Sequence, residues 1–317
     1  MNLADLGEAC RTMASWLETE HRRYRIRLSY THRPLLLERF QHTVELSLLL
    51  YSMTNPAQAS MGSPLSAWAE RIAAGLAEDA DQFGDNLNWD ETTARAEAEP
   101  AVALALMFFP LLEIVTARPS RHTRKVAVLM KTTRREPVPS GTDEDSLWFL
   151  HSLLGWNPCS GKINAVLAEL DSVPARPSPY DSSVALYDLT HAVFFTTHFG
   201  HRSPEELGSS RSSLIERLGE RAMARMECGD HDLGAELLYA ALLAGAPLDR
   251  PLKAATEILV DSISNHGYLF YTRGGVVVND RKAKFHTTLV GLMALAAIWA
   301  RASDLTEPRP KATTNVE

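Results

Sequence analysis

The chain has 317 residues and 35.1 kDa, 45% hydrophobic and 22% charged, which supplies a sizeable core and excludes a disordered polymer. A net charge of −7 with a pI near 5.9 leaves no overall nucleic-acid footprint. Three cysteines, Cys10, Cys159 and Cys228, form neither a disulfide framework nor a zinc-finger spacing, so a reduced, cytoplasmic protein is expected.

In chain order, the first 25 residues carry Asp5, Glu8, Glu18 and Glu20 among apolar positions, which reads as an amphipathic helix and not a secretory signal. Apolar residues at three- and four-residue spacing then predict helices over 34–53, 64–81, 98–117, 145–154, 160–171, 183–199, 211–227, 231–245, 251–265 and 284–302. Pro34, Pro204 and Pro251 suit first helical turns, and Gly200, Gly229 and Gly245 suit helix ends. Val126–Met130 fits either a short strand or part of a helix. The longest apolar runs, 101–112 and 288–300, fall short of the ~20 residues a bilayer requires, so no membrane span is expected.

Strand signals concentrate at 268–278, where Tyr268–Tyr271 and Val276–Val278 flank Gly274-Gly275 as a small hairpin. The fold class expected is therefore all-α with one β-hairpin. A single helical domain over 1–303 is predicted, with a sub-boundary at the Pro/Ser-rich stretch 173–180 and a flexible tail over 304–317. Helix pairs recur every 40 to 50 residues without a repeat consensus.

Eleven histidines are slightly generous for this length, and their positions single out a few. Three C-terminal helices open on polar residues before an apolar run: Tyr187-Asp188-Leu-Thr-His191, Asp230-His231-Asp232, and Phe285-His286-Thr-Thr288. If alternate helices point the same way, these starts converge. His191, His286 and Asp232 (or Asp230) then have the chemistry of a two-histidine, one-carboxylate centre for a divalent metal such as zinc. Asp188, three residues before His191 on one helical face, would orient its imidazole. Without a metal, His191, Asp188, Asp232 and His286 would serve acid/base catalysis. The bland alternative treats the aspartates as helix caps and the histidines as structural residues.

Other candidates weigh less. Cys159 packs as a small residue at a helix start more often than it reacts. His42 and His151 fit core or rim positions, and His198 and His231 are neighbours of the main set. Arg118–Arg135 holds seven Lys or Arg residues and no acid; a solvated face explains it more simply than an anion site.

The polar helix starts DLTH, GDHDLG and FHTTL resemble the α/α-toroid class, which includes terpene cyclases, protein prenyltransferase β subunits and lanthionine cyclase-like proteins. YDLTHAVFFTTHFG and FHTTLVGLMAL also look like phrases of an uncharacterised bacterial family. The resemblance covers the C-terminal half and implies helical hairpins in a closed or partial ring. It implies zinc at the ring mouth for two of these groups, with Asp232 and His286 in matching places. No cysteine follows Asp232 at the required spacing, and the aspartate-rich cyclase motifs are missing, so the chemistry does not transfer with the fold. The expectation is an enzyme acting on a small or peptide-like metabolite at the helix N-termini, by acid/base or metal-assisted chemistry. No nucleic-acid or membrane partner is expected, and a homodimer is allowed. A non-catalytic helical scaffold or binding module is the alternative.

Overall fold

Most of the sequence is written at helical period, and the computed structural model describes it over residues 2–24, 33–55, 64–98, 100–132, 142–156, 182–273 and 276–306. Among these residues stand α1 (Leu3–Tyr24), α2 (Arg33–Met53), α3 (Ser66–Asn86), α4 (Trp89–Ala98), α5 (Pro100–Ala105), α6 (Phe108–Thr116), α7 (Arg121–Thr132) and α8 (Thr142–Leu153). They are followed by α9 (Ser183–Thr196), α10 (Arg211–Glu227), α11 (His231–Leu243), α12 (Arg250–Asp261), the strands β1 (Tyr271–Arg273) and β2 (Val276–Val278), and α13 (Arg281–Thr306). The fold is all-α with one small hairpin, as the periodicity predicts.

Several boundaries follow local chemistry. Asp249 caps α12 by accepting from the Leu252 amide, with Pro251 in the first turn. Gly245 closes α11 at φ +87°, and a Cβ there would strike the Arg211 guanidinium. Other boundaries differ from the sequence reading. The 98–117 run breaks into α5 and α6 at a turn over Leu106 and Met107. The 183–199 run ends at Thr196, because His198 and Phe199 turn left-handed. Val126–Met130 is helical within α7, and β1 begins at Tyr271, three residues later than expected. The predicted helix 160–171, Cys159 and the stretch 173–180 lie outside the described residues.

Helix α11 is the hub. Every residue from Asp232 to Leu243 is buried, and the helix packs on α9, α10, α12 and α13. Contacts fix the directions. Tyr187 meets Asp232, Thr190 meets Glu236 and Phe194 meets Tyr239, so α9 runs parallel to α11. Thr287 meets Asp232 while Arg301 reaches the Leu242 carbonyl, so α13 is parallel too. Helix α2 joins them on α13, with His42 against Phe285 and Glu45 against His286. Helices α10 and α1 run antiparallel on the outside, with Met226 at Gly234 and Met13 at Gly291. Segments from both chain ends thus share one core.

The apolar segment of α13 proves longer than its sequence run. Arg281–Ser303 is long and apolar enough to cross a membrane, but 78% of its apolar window is buried against neighbouring helices. Its hydrophobic length is used for packing inside the protein.

Leu238, fully buried in the middle of α11, tests the hub. Leu238→Ala is expected to lower unfolding stability by about 2–5 kcal/mol, measured by urea denaturation.

Candidate functional site

The four parallel helices bring nine polar side chains together. Glu236 of α11 is the centre. It is the lone acid of that helix beyond the first turn, one turn after Asp232, and its side chain is 1% exposed. Thr190 of α9 donates to its Oε2 at 2.6 Å. The other oxygen, Oε1, lies 3.4 Å from His286 Nε2 and 3.6 Å from His191 Nε2. A buried carboxylate requires such compensation, because leaving water costs several kcal/mol unless charge and hydrogen bonds replace it.

His286 has carboxylates at both ring nitrogens. Nδ1 is 3.4 Å from Glu45 Oε1 of α2, and Nε2, besides Glu236, is 3.9 Å from Asp232 Oδ1. Buried His42 stands one turn before Glu45, its Nδ1 3.9 Å from Oε2 and its ring against Phe285. Asp232 accepts from the Tyr187 hydroxyl on one oxygen and from Thr287 Oγ1 at 2.7 Å on the other.

The electrostatics follow from this geometry. Burial alone would lower the two imidazoles, but the carboxylates outweigh it: Glu236 raises His191, and Asp232, Glu45 and Glu236 hold His286 well above the ordinary histidine range. Burial pushes the carboxyls up, yet His191 and His286 bring Glu236 down to about 2, and His286 with His42 holds Glu45 low. Asp232 goes the other way: burial, reinforced by the Glu236 charge, raises it against the pull of His286.

The two histidines are therefore unequal. His286 has both nitrogens committed, and it acts as a fixed positive charge among carboxylates. His191 has one nitrogen on Glu236, whereas its Nδ1 has no hydrogen-bond partner and no carboxylate within ion-pair distance among the described residues. Phe194 and Phe195 flank that ring at centroid distances of 5.9 and 6.1 Å.

The predicted residues His191, Asp232 and His286 fall in this one cluster, with three corrections to how they arrive there. His191 sits in the third turn of α9, because the helix starts at the Ser182 cap, so only α11 and α13 contribute from near their N-termini. The carboxylate paired with His191 is Glu236; Asp188 adds a weaker electrostatic contribution. Asp230 pairs instead with Arg225 at 3.4 Å, and His231 lies 3.0 Å from the Ser262 hydroxyl, away from the cluster. Of the aromatic residues, Tyr239 is buried in the core and Tyr268 lies against Trp16.

Glu236 and Glu45 were not singled out from sequence, and Tyr187 entered only as the first residue of a polar helix start. The legible signals were an acid inside the otherwise apolar GAELLYAALL and the three-residue step from His42 to Glu45. The basic stretch is engaged structurally where it is described: Arg121 pairs with Asp85, while Lys125 and Lys131 cover the rings of Trp89 and Trp156.

The zinc expectation does not fit the donors. A metal needs imidazole nitrogens about 2.0–2.1 Å from one common point. Here the nitrogens face Glu236 as ion pairs, and both Asp232 oxygens already accept from hydroxyls. Among the described residues, no group of three His, Cys, Asp or Glu side chains is arranged to hold a metal ion.

A family described as a domain of unknown function, DUF6895, matches residues 10–296, and the chain belongs to that family. No curated protein and no solved structure matches the chain.

The ion-pair cluster sets a pH optimum for stability. His286, raised on folding, contributes fully below its unfolded value of about 6.5, and that contribution is lost as pH rises through its folded value. Glu236 and Glu45, lowered on folding, contribute above about 4.5 and lose that contribution as pH falls through their folded values. Both hold between about pH 4.5 and 6.5. Melting temperature against pH is expected to peak in that window. His286→Gln should flatten the alkaline decline, leaving the part due to His191, and cost up to about 3–5 kcal/mol, less for solvent screening of a ring one-third exposed.

Proposed function

We propose that this chain is an enzyme of acid/base type, acting on a small or peptide-like metabolite, with His191 as the proton-exchanging group. The observation that carries the reading is the asymmetry around Glu236. One fully buried carboxylate serves two imidazoles; one imidazole has carboxylates at both ring nitrogens, while the other has Glu236 at Nε2 and no hydrogen-bond partner at Nδ1 among the described residues. A carboxylate behind an imidazole fixes its orientation and stabilises its cation, which suits an acid that gives up a proton and takes it back.

In this reading Glu236 orients His191, and Thr190 holds Glu236 through its second oxygen. His286, Glu45 and Asp232 fix the charge of the surroundings without touching substrate. Phe194 and Phe195 supply an apolar wall beside the reacting nitrogen. Glu236 raises His191, which favours its protonated form and its entry into the reaction as the acid.

The parallel run of α2, α9, α11 and α13, with α1 and α10 antiparallel outside, supports a further architectural reading. These four helices form part of the inner wall of an α/α ring whose mouth holds the cluster. A cytoplasmic location accords with the described cysteines, both free, Cys10 buried and Cys228 exposed.

Two measurements test the function. In histidine-labelled protein followed by NMR, His191 should titrate above the ordinary histidine value and return towards it in Glu236→Gln. Incubation with a small-molecule extract, read by mass spectrometry, should show a species consumed by the wild type. His191→Ala should slow that consumption about 10²–10⁴-fold. No consumed species would mean a binding module without turnover, and equal consumption by His191→Ala would remove His191 as the proton-exchanging group.

A further inference from the structure

A second site lies beside α1, outside the cluster. An open groove of about 790 Å³ runs between α1, the loop at 264–270 and the start of α13. Its aromatic floor is continuous: Tyr268 lies 5.3 Å from Trp16, 6.2 Å and nearly parallel to His266, and 5.1 Å from Phe270. Lys284, 9% exposed, places Nζ 4.6 Å over the Tyr268 ring while donating to Asn279.

This floor is preorganised. Ser264 bonds the loop to itself through the Tyr268 amide and carbonyl. The Leu269 amide donates to Thr288 Oγ1 of α13 at 3.0 Å. Gly267 adopts φ +86°, and a Cβ there would sit 2.6 Å from the Thr12 carbonyl oxygen, so the loop backbone is pressed directly on α1.

The rim has a definite sign. Arg11 and Arg23 are paired to Glu8 and Glu20. Arg281 is 64% exposed, and its one ion contact among the described residues is a long one, 4.0 Å from Nε to Glu20 Oε2. Three arginines against two glutamates leave the groove lining net positive on a protein whose total charge is −7. Arginine's planar fork suits a carboxylate or phosphate, while the tilted faces of Trp16 and Tyr268 suit a ring by stacking or edge-to-face contact.

We propose that this groove binds a small planar aromatic anion, a ring bearing a carboxylate or a phosphate monoester. The ring lies on the Trp16–Tyr268 surface and the anionic group meets Arg281. The site stands independently of the role assigned to His191.

Titration calorimetry on the full chain with phenyl phosphate, inorganic phosphate and benzylamine tests it. Phenyl phosphate should bind saturably. Inorganic phosphate, which lacks the ring, and benzylamine, which reverses the charge, should each bind about tenfold more weakly or worse. Arg281→Ala and Trp16→Leu should each weaken phenyl phosphate about fivefold or more, with Arg281→Ala keeping the wild-type melting temperature because the side chain is exposed. Equal binding of phenyl phosphate and inorganic phosphate, unchanged affinity in Arg281→Ala, or no saturable binding would overturn the proposal.

Discussion

The arrangement depends on the burial of one charge. Glu236 sits in a helix whose other faces are committed to Leu, Ala and Tyr packing, so its carboxylate cannot reach bulk water. The cost of that burial is offset from three directions, by Thr190 on α9 and by His191 and His286 on α9 and α13. Each compensating group in turn has to be held. His286 is held by Glu45 on α2, and Asp232 by Tyr187 and Thr287. The polar network therefore fixes the relative register of four helices whose apolar contacts alone would tolerate small slides.

Apolar packing and polar pairing divide along the length of these helices. The C-terminal halves of α11 and α13 are apolar and supply most of the burial. The N-terminal halves carry the charges. Near a helix start the macrodipole favours a carboxylate, and Asp232 in the first turn of α11 is so placed. A cavity of about 350 Å³ lined by Leu50, Met53, Ala296 and Trp299 lies towards the other ends of α2 and α13, away from the cluster.

Much of the fold was legible. Period, caps and glycine stops located most helices, because those signals are local and physical. The short helix α4 escaped because it has little apolar patterning, and its main support is tertiary, with Trp89 packed on Phe109 and His122. His191, His286 and Asp232 stood out as polar residues next to apolar runs. Glu45 did not, since nothing in LERFQHTVEL says which neighbour its carboxylate will meet. A metal reading was equally natural from sequence, because composition does not distinguish donors that converge on an ion from donors that face one another.

By itself the sequence determined the fold class, the helix inventory in outline and the residues with chemistry to offer. These depend on spacing along one chain. Only the tertiary structure decided that α2, α9, α11 and α13 run parallel, and hence that Glu236, forty-five residues from His191 and fifty from His286, stands between them. The mild excess of histidine thereby separates into two roles: one imidazole with carboxylates at both nitrogens, and one with a carboxylate at a single nitrogen. That division depends on distances of 3 to 4 Å between helices, which no local pattern encodes.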